Sequence, residues 1–227
     1  MRAISNILLV FNLQSSSTTT APVTTKPGFL EKVPTFFRLP SFDQQRQRER
    51  TVLVQELLEE ASKVGQVGSL ATEEERARLV SLAEQLTSYS DRNPAMVPLN
   101  GIHQLVYSAA PGASSGRISG GGGKISIVGT VSQKFETDTI FYNRVTFGPL
   151  MIALQAKREI KNASTIKVSF LETSFSLFGK TFATKQAGGG GVWKVKFVGK
   201  IEDKDGKEKL VRIMETPSLF ILQQPLD

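Results

Sequence analysis

Apolar side chains recur at three- and four-residue steps between Asp43 and about Lys63: Val52, Leu53, Leu57, Ala61 and Val64, with Glu56, Glu59 and Glu60 on the other side. This spacing predicts an amphipathic helix, ended by Gly65-Gln66-Val67-Gly68. Thr72 and Glu75 have the spacing of a capping box, which predicts a second helix with Leu79, Ala83 and Leu86 on one stripe. That helix stops before the Asn93-Pro94 and Val97-Pro98 turns.

From Leu99 onward the period changes to two. Ile125, Ile127, Gly129, Val131, Gln133 and Phe135 share one parity, and Ser126, Thr130, Ser132, Lys134 and Glu136 mostly fill the other. Phe141, Asn143, Val145 and Phe147 alternate with Tyr142, Arg144 and Thr146. Ile166, Val168 and Phe170 alternate with Lys167 and Ser169, and Trp193, Val195 and Phe197 with Lys194 and Lys196. Successive strands with one apolar and one polar face predict a mainly β chain, its antiparallel sheet closed into a barrel or folded into a sandwich. The predicted outer parity carries Lys134, Arg144, Lys167, Lys194 and Lys196, so the exterior is expected to be basic.

Three polar residues interrupt the inner parity: His103, Gln133 and Asn143. A buried polar side chain needs a partner, whether protein, water or ligand. Either they bond within the fold, or they form a polar spot inside an apolar cup that meets a ligand headgroup. The candidate ligand-binding residues are therefore His103, Tyr107, Gln133 and Asn143, with Phe135, Val145, Phe147, Val168, Phe170, Trp193 and Phe197 as the wall.

Composition narrows the chemistry. The chain has no Cys and one His in 227 residues. That excludes disulfides, cysteine nucleophiles, thiolate zinc sites and multi-histidine metal centres. No catalytic constellation, metal site or covalent cofactor is expected. No apolar run reaches the roughly 20 residues that span a bilayer. From residue 111 onward there are 17 basic and 10 acidic side chains, a surplus that accounts for the whole net charge of +7. Such a half suits an anionic partner, or simply solvates the outer strand faces.

Residues 1–30 contain Arg2 and Lys26 but no acid, with a short apolar stretch at Ile4–Leu13 and a hydroxyl run at Ser15–Thr20. This is the composition of an organellar transit segment, a signal region or a tail. Beyond it, Pro27, Pro34 and Pro40 punctuate Phe29, Phe36, Phe37 and Phe42, which predicts an extended arm whose phenylalanines anchor on a partner or pack back on their own domain. The expected division is 1–42 as targeting segment or arm, 43–98 as a two-helix region and 99–227 as the barrel.

Several motifs fail on spacing. Gly120-Gly121-Gly122-Gly123-Lys124 has Ile118 and Ile125 where a phosphate loop needs glycine and a hydroxyl. Asp203-Lys204-Asp205-Gly206 lacks the remaining calcium ligands and reads as a hairpin turn. Asn162-Ala163-Ser164 is a sequon that matters only in a secreted chain. No nucleic-acid-binding motif is present, so nucleic acid is not expected as a partner.

Asn93-Pro94, then Pro98-Leu99-Asn100-Gly101 and the strand ending Leu105-Val106-Tyr107, resemble the plastid lipid-associated protein family, the fibrillins. Val128-Gly129-Thr130-Val131-Ser132-Gln133, Asn143-Arg144-Val145, Ile166-Lys167-Val168-Ser169-Phe170 and Leu219-Phe220-Ile221-Leu222 follow in the family's order, over about residues 49–224. His103 stands where the family usually has Trp, and the closing segment Met214-Glu215-Thr216-Pro217-Ser218 is shortened. The resemblance implies a lipocalin-like antiparallel β-barrel in a plastid. It would be peripheral at thylakoid or plastoglobule surfaces, binding a hydrophobic small molecule such as a lipid, quinone or carotenoid, with no enzymatic activity. The competing expectation is a non-enzymatic interaction subunit docked on a photosynthetic membrane complex, photosystem with antenna, by the Phe-rich arm. A filled barrel interior would favour the second; a void would favour the first.

Overall fold

The structure, a computed structural model, describes residues 41–110, 115–120 and 125–226. Phe29, Phe36 and Phe37 lie outside the described residues. Ser41 opens helix α1 (Phe42–Val64): its hydroxyl accepts from the Gln44 N–H while the Gln44 side chain reaches back to the Ser41 N–H. Thr72 and Glu75 do the same at α2 (Glu73–Thr87). The sheltered stripe of α1 is Val54, Leu57 and Ala61, so the expected stripe is turned and Val52 faces solvent. Leu79, Leu82, Ala83 and Leu86 are buried on α2.

The strands are β1 (Gly101–Ser108), β2 (Arg117–Gly120), β3 (Ile125–Val128), β4 (Thr130–Phe135), β5 (Ile140–Phe147) and β6 (Leu150–Asn162). They continue with β7 (Thr165–Leu177), β8 (Lys180–Gln186), β9 (Gly190–Glu202), β10 (Glu208–Thr216) and β11 (Ser218–Pro225). The fold is mainly antiparallel β with two N-terminal helices. The main sheet runs β6-β5-β4-β1-β11-β10-β9-β7-β8, and β6 also pairs with β7. That pairing joins the two flanks of the sheet, so every strand of it except β8 belongs to a closed ring. The expected strand from Ile125 to Phe135 is interrupted at Gly129. β3 pairs with β2 in a separate two-stranded sheet, and Ile127 is exposed.

Both helices lie on the outer face of β1, β9, β10 and β11, where Leu57, Leu79 and Leu86 meet Tyr107, Phe197, Val211, Ile213 and Ile221. Each fully buried leucine or isoleucine there contributes about 1.5–3 kcal/mol. Arg50 fastens α1 by donating to the Lys200 carbonyl at 2.8 Å.

Two bulges decide which side chains face those helices. Leu105 pairs with Leu222 but Tyr107 with Ile221, leaving Val106 as an extra residue in β1. Met214 pairs with Val195 but Ile213 with Phe197, leaving Lys196 extra in β9. A bulge inverts the alternation beyond it. Tyr107 and Phe197, expected inside, therefore point outward into the helix-packed core. Lys196 is not on the solvated exterior either: it is buried beneath α2, paired with Glu84 and, at 3.3 Å, with Glu215. Gly199 leaves room for the Phe197 ring, which would lie 2.6 Å from a Cβ there.

Candidate ligand-binding cavity

Inside the ring the side chains form three tiers. At one end, Phe135, Phe141, Ile166, Val168, Val195 and Leu210 pack into a filled cluster with Ala95 and Leu99 from the segment after α2. Phe135 stacks on Phe141, and Phe141 meets Trp193 edge-on. Phe135 and Val168, expected to touch a ligand, belong to this closed end.

The middle tier is polar. Gln133 pairs across β1 and β4 with His103 and across β4 and β5 with Asn143. From β10, Arg212 reaches into the same tier, only 2% exposed. Its Nη1 donates to Gln133 Oε1 at 3.2 Å, its Nη2 lies 3.2 Å from Met214 Sδ, and its Nε has no partner. The guanidinium sits 5.1 Å from the Phe135 ring centre, and Arg158 lies 5.8 Å from the same ring. Arg158 spends its charge at the rim, bonded to the Asp138 and Val97 carbonyls with the Asp138 carboxylate at 3.9 Å. Arg212 has no carboxylate contact among the described residues. Burial, and secondarily the Arg158 charge, push its pKa down to about 9, which leaves it cationic at neutral pH.

His103 stands beside this cation and is neutral. Burial first, then the Arg212 charge, lower its pKa to about 3. Its Nε2 lies 3.1 Å from the Asn100 carbonyl, which only accepts, so Nε2 carries the hydrogen and Nδ1 is a bare, unpartnered acceptor. The ring meets Phe135 edge-on at 5.3 Å.

The third tier is a void of about 570 Å3, within the size range of small-molecule sites, and every strand of the ring contributes to its wall. Gln133, Asn143, Val145, Phe170 and Trp193, all expected interior residues, line it. Phe147 packs against the Leu105, Val131 and Val145 wall without lining the void. His103 is held back in the polar tier. The sequence reading missed Leu105, Leu154, Met214 and Leu222 on the wall, and Arg212 behind it. Arg212 shares its parity with Leu210 and Met214, and a polar residue in that alternation is the signal that would have found it.

The void is mainly apolar: the amides of Gln133 and Asn143 face it at the floor, and the hydroxyl residues Thr173 and Thr216 line it nearer the opening. The guanidinium is a pure donor, so it fixes the Gln133 amide with Oε1 toward Arg212. What Gln133 has left to offer a ligand is an N–H donor, with a buried positive charge behind it.

The PAP_fibrillin family model matches residues 52–218, from within α1 to the first residue of β11. No curated protein and no solved structure matches the chain.

Proposed function

The chain belongs to the PAP/fibrillin family of plastid lipid-associated proteins, and on that premise we propose that its ring is a lipocalin-like barrel that holds one small hydrophobic molecule. The observation that carries this reading is the void of about 570 Å3 above a polar floor. A barrel retained purely as scaffold gains by filling such a space, because each missing contact costs packing energy.

The mechanism is burial. At ~25 cal/mol per Å2, sheltering a few hundred Å2 of prenyl, acyl or polyene chain supplies several kcal/mol. Val145, Leu154, Phe170 and Trp193 form the wall, and the floor sets orientation. A ligand end that accepts hydrogen bonds, such as a carbonyl, quinone or carboxylate oxygen, meets the Gln133 and Asn143 amides and is drawn by Arg212. No chemistry beyond binding is proposed. Lipids, quinones and carotenoids with oxygen functions satisfy this description, at a thylakoid or plastoglobule surface of a plastid. Among the described residues no helix is long and apolar enough to cross a membrane, and the proposed attachment is peripheral.

The test is to extract purified protein and identify bound lipids and pigments by mass spectrometry. Gln133→Leu with Asn143→Leu should keep the apolar load but lose the preference for oxygenated ends. Identical ligands in identical ratios would make the polar floor structural, and an empty wild-type cavity after exposure to such lipids would remove the binding reading itself.

A further inference from the structure

The two ends of the ring differ in charge. At the end the void opens toward, the connections at 147–150, 177–180 and 216–219 contain no Asp or Glu. The whole stretch from Thr173 to Lys200 is free of acid and holds Lys180 and Lys185, both exposed on β8. The connections at the closed end carry Glu136 and Asp138 between β4 and β5, and Asp203 and Asp205 beside Lys204 and Lys207 between β9 and β10, so acid is in excess there.

The same end, where Glu215 at the end of β10 is engaged by Lys196, bears unburied apolar side chains. Phe178, at the tip of the β7–β8 hairpin, is 79% exposed, and Phe182 on β8 is 64% exposed, with Leu177 and Val192 also open. The strand β8 lies outside the ring, and all of it is exposed. Phe178 and Gly179 form a two-residue turn with both φ positive, 49° and 78°. An I′ hairpin favours Asn, Asp or Gly there, and Phe178 is the one non-glycine residue at positive φ among those described. The turn is held in place, since the Phe178 N–H donates to the Pro149 carbonyl at 2.9 Å. A bulky ring in a disfavoured conformation with almost no packing in return is a feature whose gain lies outside the folded chain.

We propose that the open end of the ring is a docking surface for an anionic lipid layer: Phe178 inserts, Phe182 and Leu177 sit at the interface, and Lys180 and Lys185 meet the headgroups. Apolar tips flanked by lysines suit that boundary, and the acidic closed end is turned away from it. The void is lined by Thr173, Gly190, Val192 and Phe220 at this same end. Docking therefore sets the mouth against the lipid, and a hydrophobic molecule passes between layer and cavity without crossing water. This exchange route rests on the cavity-binding reading above; the docking surface itself does not.

The experiment is co-sedimentation of the full chain with protein-free vesicles of phosphatidylcholine, with and without phosphatidylglycerol. Phe178→Asn puts a residue suited to the turn at the tip, so its melting temperature should hold or rise while vesicle partitioning falls about tenfold, the loss expected for one buried phenylalanine. Lys180→Glu with Lys185→Glu should weaken binding to phosphatidylglycerol vesicles and leave binding to pure phosphatidylcholine little changed. Unchanged partitioning of the Phe178→Asn variant overturns the proposal, as does binding to native membranes but not to protein-free vesicles, which would make the partner a protein. Displacement of a fluorescent apolar probe from the cavity, measured without vesicles, reports the ligand reading separately. Loss of probe binding with vesicle binding intact would remove the cavity reading and keep the docking surface.

Discussion

His103 is the residue at which a single proton tells most about the interior. Buried and neutral, it holds its folded-state pKa at about 3 against an ordinary 6.5, so the unfolded chain takes up a proton over a window in which the folded chain does not. Stability attributable to this group is complete above about pH 6.5 and falls as pH drops toward 3, on the order of 1 kcal/mol per pH unit. His103→Gln keeps an N–H for the Asn100 carbonyl and removes the titration. Urea midpoints for the variant should therefore fall less steeply than wild type between pH 6.5 and 4, and parallel curves would show that His103 protonates freely. Gln133 and Asn143 were legible from parity alone, because nothing disturbs the alternation of β4 and β5. Arg212 was not, since its importance depends on which residues stand across the ring from it.

At the scale of the element, caps and periods were readable while register was not. The Thr72 capping box follows from local backbone chemistry, and the switch to period two marks the start of the strands. The bulges at Val106 and Lys196 leave no such mark, yet they turn Tyr107 and Phe197 out of the ring and under the helices. Lys196 shows what the second bulge achieves: it seats a buried ammonium between Glu84 of α2 and Glu215 of β10. Burial works against its charge, but the two carboxylates outweigh it and raise the pKa, while Lys196 lowers that of Glu84. Replacing Glu84 and Glu215 together by Gln strands the charge. Breaking a fully buried pair costs 3–5 kcal/mol, and since these carboxylates remain about half exposed the expected loss is about 1–3 kcal/mol. Lys196→Met in the same background should restore most of it. Failure of that rescue in chemical denaturation would mean that the ion pair, not relief of a stranded charge, holds α2 to the sheet.

For the molecule as a whole, the attachment to lipid proposed above has two separate sets of aromatic residues to draw on: the arm expected from the sequence, bearing Phe29, Phe36 and Phe37, and the hairpin bearing Phe178 and Phe182. Phe42, expected at the end of the extended arm, instead opens the first turn of α1 and is exposed there. The arm was conspicuous in the sequence because prolines isolate its phenylalanines. The hairpin was not, because Phe178 and Phe182 read as ordinary strand residues until the ring closes without β8. Cutting the chain before Pro40 spares the Ser41 cap and the compact unit from Pro40 to Asp227, so a single cooperative melt near that of the full chain is expected. Two tethers on one molecule multiply rather than add, because the second engages at high effective concentration. The truncated protein should thus bind thylakoid membranes more weakly than the full chain, and Phe178→Asn in that background should weaken it about tenfold again. Salt divides the remainder further. At about 1 M the Debye length shrinks to roughly 3 Å, which silences Lys180 and Lys185 but not an inserted phenylalanine. The truncated wild type should accordingly lose part of its binding in high salt and keep a part that only Phe178→Asn weakens. Complete release by salt alone would reduce the hairpin to its charges, and full retention by the truncated Phe178→Asn variant would place the attachment elsewhere on the basic half of the chain.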